Sequence, residues 1–196
     1  MKWRAKLQPG ETVLVLGATG AAGKLAVQIA KLLGAGRVIA AGRNPQALEV
    51  TRLLGADTTI QLEQPQENLV DAFAAAAKDG IDIVLDYLWG APTEALIEAL
   101  TGHDLMAESR TTRLIEIGAM AGPTIALPGA ALRSSGLEIY GAGGGSVPMT
   151  AIIAAVPQIL EHAARGDLKL ETKKVPLAEV EIAWNQKEDR RVVFVP

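Results

Sequence analysis

Two hydrophobic periods trade places along the first 145 residues. Thr12-Val13-Leu14-Val15-Leu16, between Pro9-Gly10 and Gly17, is a short apolar run, the pattern of a strand buried on both faces of a parallel sheet. From Ala21 to Leu33 the apolar residues Ala22, Leu25, Ala26, Ile29, Leu32 and Leu33 recur at helical spacing, and Gly34 supplies the stop. Arg37-Val38-Ile39-Ala40-Ala41 reads as a second strand, after which Asn44 as N-cap and Pro45 at the first helical position open a helix that Gly55 closes. The same reading gives strands over Asp57 to Leu62, Ile81 to Tyr87, Arg113 to Ile117 and Leu137 to Tyr140, with helices over Asn68 to Lys78 and Pro92 to Leu100. Such alternation predicts right-handed crossovers and an α/β fold: a doubly wound parallel sheet of about six strands, order 3-2-1-4-5-6.

Beyond Ser146, read as the cap of a helix running to about Ala164, the pattern changes. Leu168-Lys169-Leu170 is followed by a short helix around Pro176 to Trp184, a charged turn at Lys187-Glu188-Asp189-Arg190, and the apolar strand Arg191-Val192-Val193-Phe194-Val195. A terminal strand this apolar needs a sheet edge to pair with. The stretch from Ile139 to Leu160 is free of charge over a membrane-spanning length, but Gly141, Gly143, Gly144, Gly145, Pro148 and Pro157 divide it into a strand end, a glycine loop and a helix.

With 196 residues, the chain holds one full domain and a surplus of about 40 residues. The net charge of −3 is evenly spread, so there is no basic footprint for nucleic acid or an anionic membrane. Zero cysteines exclude a disulfide framework and thiol catalysis, and with only His103 and His162 a histidine-rich metal site is not expected. Met1-Lys2-Trp3-Arg4-Ala5-Lys6 lacks the apolar core of a signal peptide, and the expected location is cytoplasmic.

Gly17-Ala18-Thr19-Gly20-Ala21-Ala22-Gly23 stands between the first strand and the first helix, where a dinucleotide-binding turn of the Rossmann type belongs. In that register Ala18 replaces the first glycine, Gly20 lets backbone approach a pyrophosphate, and Gly23 allows close helix–strand packing. The amides of Ala21 and Ala22, at the positive end of the helix dipole, can donate to phosphate oxygens. The turn by itself also suits plain packing; its position in the alternation favours the cofactor. A triphosphatase loop does not fit, because five residues separate Gly17 from Gly23 and Lys24 is followed by Leu25 rather than a hydroxyl residue.

An acidic residue about 20 positions after the loop would read a ribose 2′-hydroxyl. Here that place is Ala41-Gly42-Arg43-Asn44. Gly42 leaves room for a 2′-phosphate and Arg43 can pair with it, which favours NADP (NADPH) over NAD; the bland alternative is a solvated arginine at a turn that Asn44 merely caps. The rest of a dinucleotide belongs across the ends of strands four to six, at Leu88, at Ile117-Gly118-Ala119 and at Ala142-Gly143, although loop flexibility also selects glycines. Asp86 could touch a ribose, but an Asp ending a strand is common enough that it is not assigned a role.

The run Leu7-Gln8-Pro9-Gly10-Glu11 through Gly23, the helix Ala26-Val27-Gln28-Ile29-Ala30-Lys31-Leu32-Leu33-Gly34-Ala35, Leu54-Gly55-Ala56-Asp57 and the closing Pro176-Leu177-Ala178-Glu179-Val180, Trp184 and Val192-Val193-Phe194-Val195-Pro196 together resemble the medium-chain dehydrogenase/reductases, in particular the zinc-free quinone oxidoreductase-like branch beside the zinc-type alcohol dehydrogenases. The resemblance implies a cofactor domain for hydride transfer from NADPH to a quinone or enone, or for alcohol–carbonyl interconversion. It further implies an N-terminal catalytic domain, whereas eight residues precede Pro9 here. The expected organisation is a dinucleotide-binding domain over 1–175 and, over 176–196, a segment that returns to a catalytic domain. The chain alone is expected to bind cofactor with little activity, to meet a small carbonyl or quinone substrate only when a catalytic domain is present, and to form a homo-oligomer. Val192 to Val195 should then pair with another copy or cover its own domain. Arg191 sits where zinc-dependent relatives place a pyrophosphate contact, though a solvated turn residue is the preferred reading.

Rival chemistries lack their residues. A short-chain dehydrogenase needs Lys four residues after its tyrosine, and Tyr87 and Tyr140 are followed there by Ala91 and Gly144. Neither Ser134-Ser135 nor Ser146 has the flanks of a hydrolase elbow. His103 and His162 are expected to be solvated, and no catalytic residue is assigned. A non-catalytic dinucleotide-binding or sensing module acting through a partner chain is the alternative.

Overall fold

The computed structural model describes residues 1–101, 110–186 and 190–196. Its elements are β1 (Thr12–Leu16), α1 (Ala21–Leu32), β2 (Arg37–Gly42), α2 (Pro45–Leu53), β3 (Thr58–Gln61), α3 (Gln66–Ala77), β4 (Ile83–Asp86), α4 (Ala91–Leu100), β5 (Thr111–Glu116), α5 (Gly129–Arg133), β6 (Gly136–Gly141), α6 (Met149–Ala164), β7 (Thr172–Pro176), α7 (Val180–Trp184) and β8 (Arg191–Val195), with a 3-10 turn at Leu177–Glu179 before α7. The first six strands form one sheet in the order β3-β2-β1-β4-β5-β6, every neighbouring pair parallel. This is the expected Rossmann-like doubly wound fold.

The alternation within β1 explains the two layers. Val13 and Val15 pack with Ala26, Val27 and Ala30 of α1 on one face. Leu14 and Leu16 pack with Phe73 of α3 and Leu96 of α4 on the other. All five residues of β1 are buried, so the central strand has no solvent face and needs no polar alternation. Gly34 and Gly55, at φ +89° and +111°, follow α1 and α2 as the stops the sequence predicts.

Several details differ from expectation. Ser146 does not cap α6: its Oγ donates to Gly143 O at 2.7 Å within the loop, and the helix starts three residues later, after Pro148. Pro157 does not interrupt α6, which runs through it; none of its residues is buried, so the carbonyl that loses its amide partner meets water instead of a core. The short helix α5 and the strand β7 carry too little periodicity to stand out in the sequence. β7 supplies what β8 needs: the two pair in parallel, Lys173 beside Val192 and Val175 beside Phe194, as a separate two-stranded sheet. One edge of β8 is thus taken by a strand of the same chain that the sequence pattern did not reveal, and Trp184 stacks on Phe194 with centroids 6.3 Å apart. The expected division at 175 falls inside β7. His103 and Lys187-Glu188-Asp189 lie outside the described residues.

Leu168-Lys169-Leu170 forms no strand and is tied to α1. Buried Gln28 accepts from Lys169 N at 2.7 Å and donates to Lys169 O at 2.9 Å. Among the described residues no helix is long and apolar enough to cross a membrane.

Candidate functional site

Because the sheet is parallel, its carboxyl ends share one edge. Ala41, Leu16, Asp86, Glu116 and Gly141 form a single rung across β2, β1, β4, β5 and β6. The residue after each of these begins a candidate loop: Gly42, Gly17, Tyr87, Ile117 and Ala142. All the sequence-predicted positions thus lie on one edge, astride β1 and β4, where the strand order reverses and the connections leave an open crevice.

The turn after β1 is built by backbone. Gly17 and Ala18 both donate to Ala41 O, at 3.0 and 2.9 Å, and Ala18 is fully buried, so its part is packing. Gly17 has φ +84°, which a side chain resists, and any β-carbon there would also press on Leu88. Gly23 is buried against the turn: a β-carbon would overlap Gly17 O and lie 2.6 Å from Ala18 Cα. Gly20 is different. It is exposed, and a β-carbon there would meet only Gly17 O at 3.7 Å. No side chain caps α1, and among the described residues no hydrogen bond takes up the amides of Ala21 and Ala22. Exposed glycine backbone ahead of unpaired amides at a helix N-terminus suits an anion.

At the end of β2, Arg43 is exposed and makes no ion pair among the described residues. Asn44 Oδ1 accepts from Ala47 N at 3.0 Å, so its side-chain oxygen is committed to capping α2. Gly42 has a reason beyond leaving room for a ligand: its missing side chain is replaced by Thr19, which packs against it.

The ends of β4 to β6 are shaped by Asp86. This fully buried carboxylate accepts from Leu88 N at 2.8 Å, Trp89 N at 2.9 Å and Thr93 Oγ1 at 2.6 Å. Its oxygens hold the turn into α4, including Trp89 at φ +55°, rather than facing the crevice. The sequence signal was available: an aspartate ending a strand, with a threonine seven residues on across a Gly-x-Pro helix start. Ile117 and Gly118 donate to Asp86 O, and Ala142 donates to Glu116 O, so each loop leaves the sheet along its neighbour. Gly118 packs tightly on Tyr87 O, at 3.2 Å from a β-carbon placed there, whereas Gly143 has open space. Leu88 and Ile117 are half-buried and Ala119 is exposed.

Titratable groups near the edge add little acid–base chemistry. Burial pushes the Tyr87 phenol up, opposite to the direction a catalytic tyrosine with a lysine partner takes. Tyr140 is also raised, chiefly by its hydrogen bond to Glu138. Tyr87 and Ile117 border a cavity of about 450 Å³ between α1, α6 and residues 1–3. His162 is partly exposed and its Nδ1 lies 2.9 Å from Asp167 Oδ2. Among the described residues no three ligand-type side chains converge.

The profile of the zinc-binding dehydrogenases matches residues 21–163. The probable NADPH-dependent quinone reductase tdiC of Emericella nidulans is 28% identical over 197 residues, covering 95% of this chain and 54% of that protein. An NAD-dependent alcohol dehydrogenase of Sulfolobus acidocaldarius is 25% identical over 190 residues, covering 96% and 50% respectively. The quinone oxidoreductase of Thermus thermophilus, solved alone and in complex with NADPH, superposes with a TM-score of 0.71 at 30% identity over 93% of this chain and 56% of its own. The chain spans about half the length of the curated relatives it matches.

Proposed function

The chain belongs to the zinc-binding dehydrogenase family, and from that premise we propose that it is the NADP(H)-binding domain of a medium-chain quinone or enone reductase, or of an alcohol dehydrogenase-type enzyme. One observation carries the reading: the exposed Gly20 backbone and the unpaired Ala21 and Ala22 amides stand at the switch point of the sheet, with Gly23 seating α1 behind them. These residues fit a pyrophosphate without needing a basic side chain. In this reading Ala18, Thr19, Gly20, Ala21, Ala22 and Gly23 form the phosphate turn. Gly42, Arg43 and Asn44 bound the adenosine ribose, with Arg43 free to pair with a 2′-phosphate. Leu88, Ile117, Gly118, Ala119, Ala142 and Gly143 line the nicotinamide end.

When bound, NADPH supplies a hydride. The residues of this chain bind and orient the cofactor. A small carbonyl compound or quinone is the expected substrate only where a catalytic domain accompanies this chain. Relatives about twice as long carry the named activities, so the 196 residues by themselves are expected to bind cofactor with little turnover. The unit comprises 1–175 and the returning segment 176–196, with β7 straddling the division. A cytoplasmic homo-oligomer belongs to the same reading, and the open edge of β6 offers a second copy unpaired backbone. The alternative of a non-catalytic sensing module is not favoured, since the relatives named above are reductases and dehydrogenases.

Titration of the chain with NADPH and NADH, before and after Arg43→Ala, tests the proposal. NADPH should bind tighter, and its advantage should fall about tenfold or more on losing the charge-assisted pair. Equal binding of both nucleotides by the unmutated chain would remove the selectivity.

A further inference from the structure

One side chain links the phosphate turn to the end of β2. A β-carbon on Gly42 would run into Thr19 Cγ2 and lie 3.0 Å from Thr19 Oγ1 and 3.3 Å from Leu48 Cδ2. Both branches of Thr19 therefore face Gly42, filling two of the three staggered positions about χ1. Every staggered rotamer of threonine fills two of those three, so at least one position facing Gly42 is always occupied. Rotation cannot empty both facing positions; at best it leaves one branch about 3.0 Å from the added β-carbon, a tight contact that only a smaller residue removes. Serine has one branch and so does not have to occupy either facing position. Alanine has none, whereas valine has two and must obstruct as threonine does.

We propose that Thr19 is a specificity-determining residue of the dinucleotide site. It keeps the end of β2 bare, excluding the carboxylate by which a ribose 2′-hydroxyl would be read and leaving the neighbouring Arg43 to face a 2′-phosphate. The inference rests on the reading of this turn as a dinucleotide site and adds the residue that decides which dinucleotide it takes. An acidic residue at 42 should switch preference only when position 19 is trimmed.

The test places Gly42→Asp, with Gly42→Ala as an uncharged control, on four backgrounds: unmutated, Thr19→Val, Thr19→Ser and Thr19→Ala. Each protein is melted without nucleotide and titrated with NADPH and NADH. On the unmutated and Thr19→Val backgrounds, Gly42→Ala should lower Tm by roughly 4–8 °C, and Gly42→Asp should create no NADH preference. On the Thr19→Ser and Thr19→Ala backgrounds the Gly42→Ala penalty should vanish, and Gly42→Asp should move the affinity ratio toward NADH by about tenfold or more. A melting penalty and a ratio shift that are the same on all four backgrounds would overturn the inference. Failure of the unmutated chain to bind either nucleotide would instead overturn the dinucleotide reading, and the nucleotide-free melts would still judge the packing of Thr19 on Gly42.

Discussion

Gly20 and Gly23 stand in one turn, and the structure assigns them opposite sensitivities to the same methyl group. In Gly23→Ala the new β-carbon meets the carbonyl oxygen of Gly17 and the Cα and carbonyl carbon of Ala18, the latter two at 2.6 and 2.9 Å. These are backbone atoms, fixed because the amides of both residues bond Ala41 O. Relief requires α1 to move outward with its buried Ala26, Val27 and Ala30. Overpacking of this kind costs about 3 kcal/mol, and the better helix propensity of alanine returns about 0.5–1, leaving a net loss of about 2–2.5 kcal/mol. For a chain of this size that lowers Tm by roughly 4–10 °C. In Gly20→Ala the methyl enters open space, and Gly20 already has φ −75° and ψ 166°, which alanine adopts without strain. The gain of about 0.4–1 kcal/mol from restricting the unfolded chain is offset by alanine's poorer fit at the N-cap of α1, so stability should change by less than about 1 kcal/mol, whereas a methyl at the proposed phosphate turn should lower NADPH affinity. Urea unfolding of both variants, with NADPH titration of each, separates the two glycines. If Gly23→Ala unfolds at the wild-type midpoint, α1 is not seated on the turn as described. Equal destabilisation by Gly20→Ala would refute the division between packing and ligand glycines.

Three other outcomes follow from named contacts. Asp86→Ala leaves the amides of Leu88 and Trp89 and the Thr93 hydroxyl without their acceptor and should cost about 3–4 kcal/mol by denaturant titration, with Asp86→Asn costing less because one acceptor remains. Gln28→Ala should cost about 1–3 kcal/mol and speed amide exchange at Lys169, whose N–H loses its partner 141 positions away; unchanged exchange there would refute the clasp. Burial alone would push the Asp57 carboxyl up, but the Lys31 hydrogen bond, the Val38 amide and the charges of Lys31 and Arg37 outweigh it, so its pKa is lowered. A lowered folded pKa contributes stability above the unfolded value of about 4 that is lost as pH falls through the folded one, so wild type should lose more stability than Asp57→Asn between about pH 5 and pH 3 in urea midpoints.

The outline of the site was legible because a dinucleotide turn is written locally: β1, Gly17 to Gly23 and α1 are contiguous, and the parallel alternation brings every later loop to the same edge. The register of the turn already separated Gly20, read as open backbone, from Gly23, read as helix–strand packing; what it did not record is that Gly23 is pressed on the Gly17 carbonyl and Ala18. Asp86 lay at the predicted strand end, but its commitment to Leu88, Trp89 and Thr93 depends on how α4 folds back. Ser146 failed as a cap because Pro148 deferred the helix start to Met149, which leaves the Ser146 hydroxyl in the loop, donating to Gly143 O.

By itself the sequence determined the order of β1 to β6 and of the helices α1 to α4, the parallel sheet they form and the edge on which a cofactor would lie, because periodicity and stop signals act over a dozen residues and chirality restricts how such units join. Tertiary structure decided which atoms occupy each space: Thr19 over Gly42, Gln28 on Lys169, and β7 beside β8. These are contacts between segments distant in the chain. They depend on distances of a few tenths of an ångström, which close packing sets and hydrophobic patterning does not record.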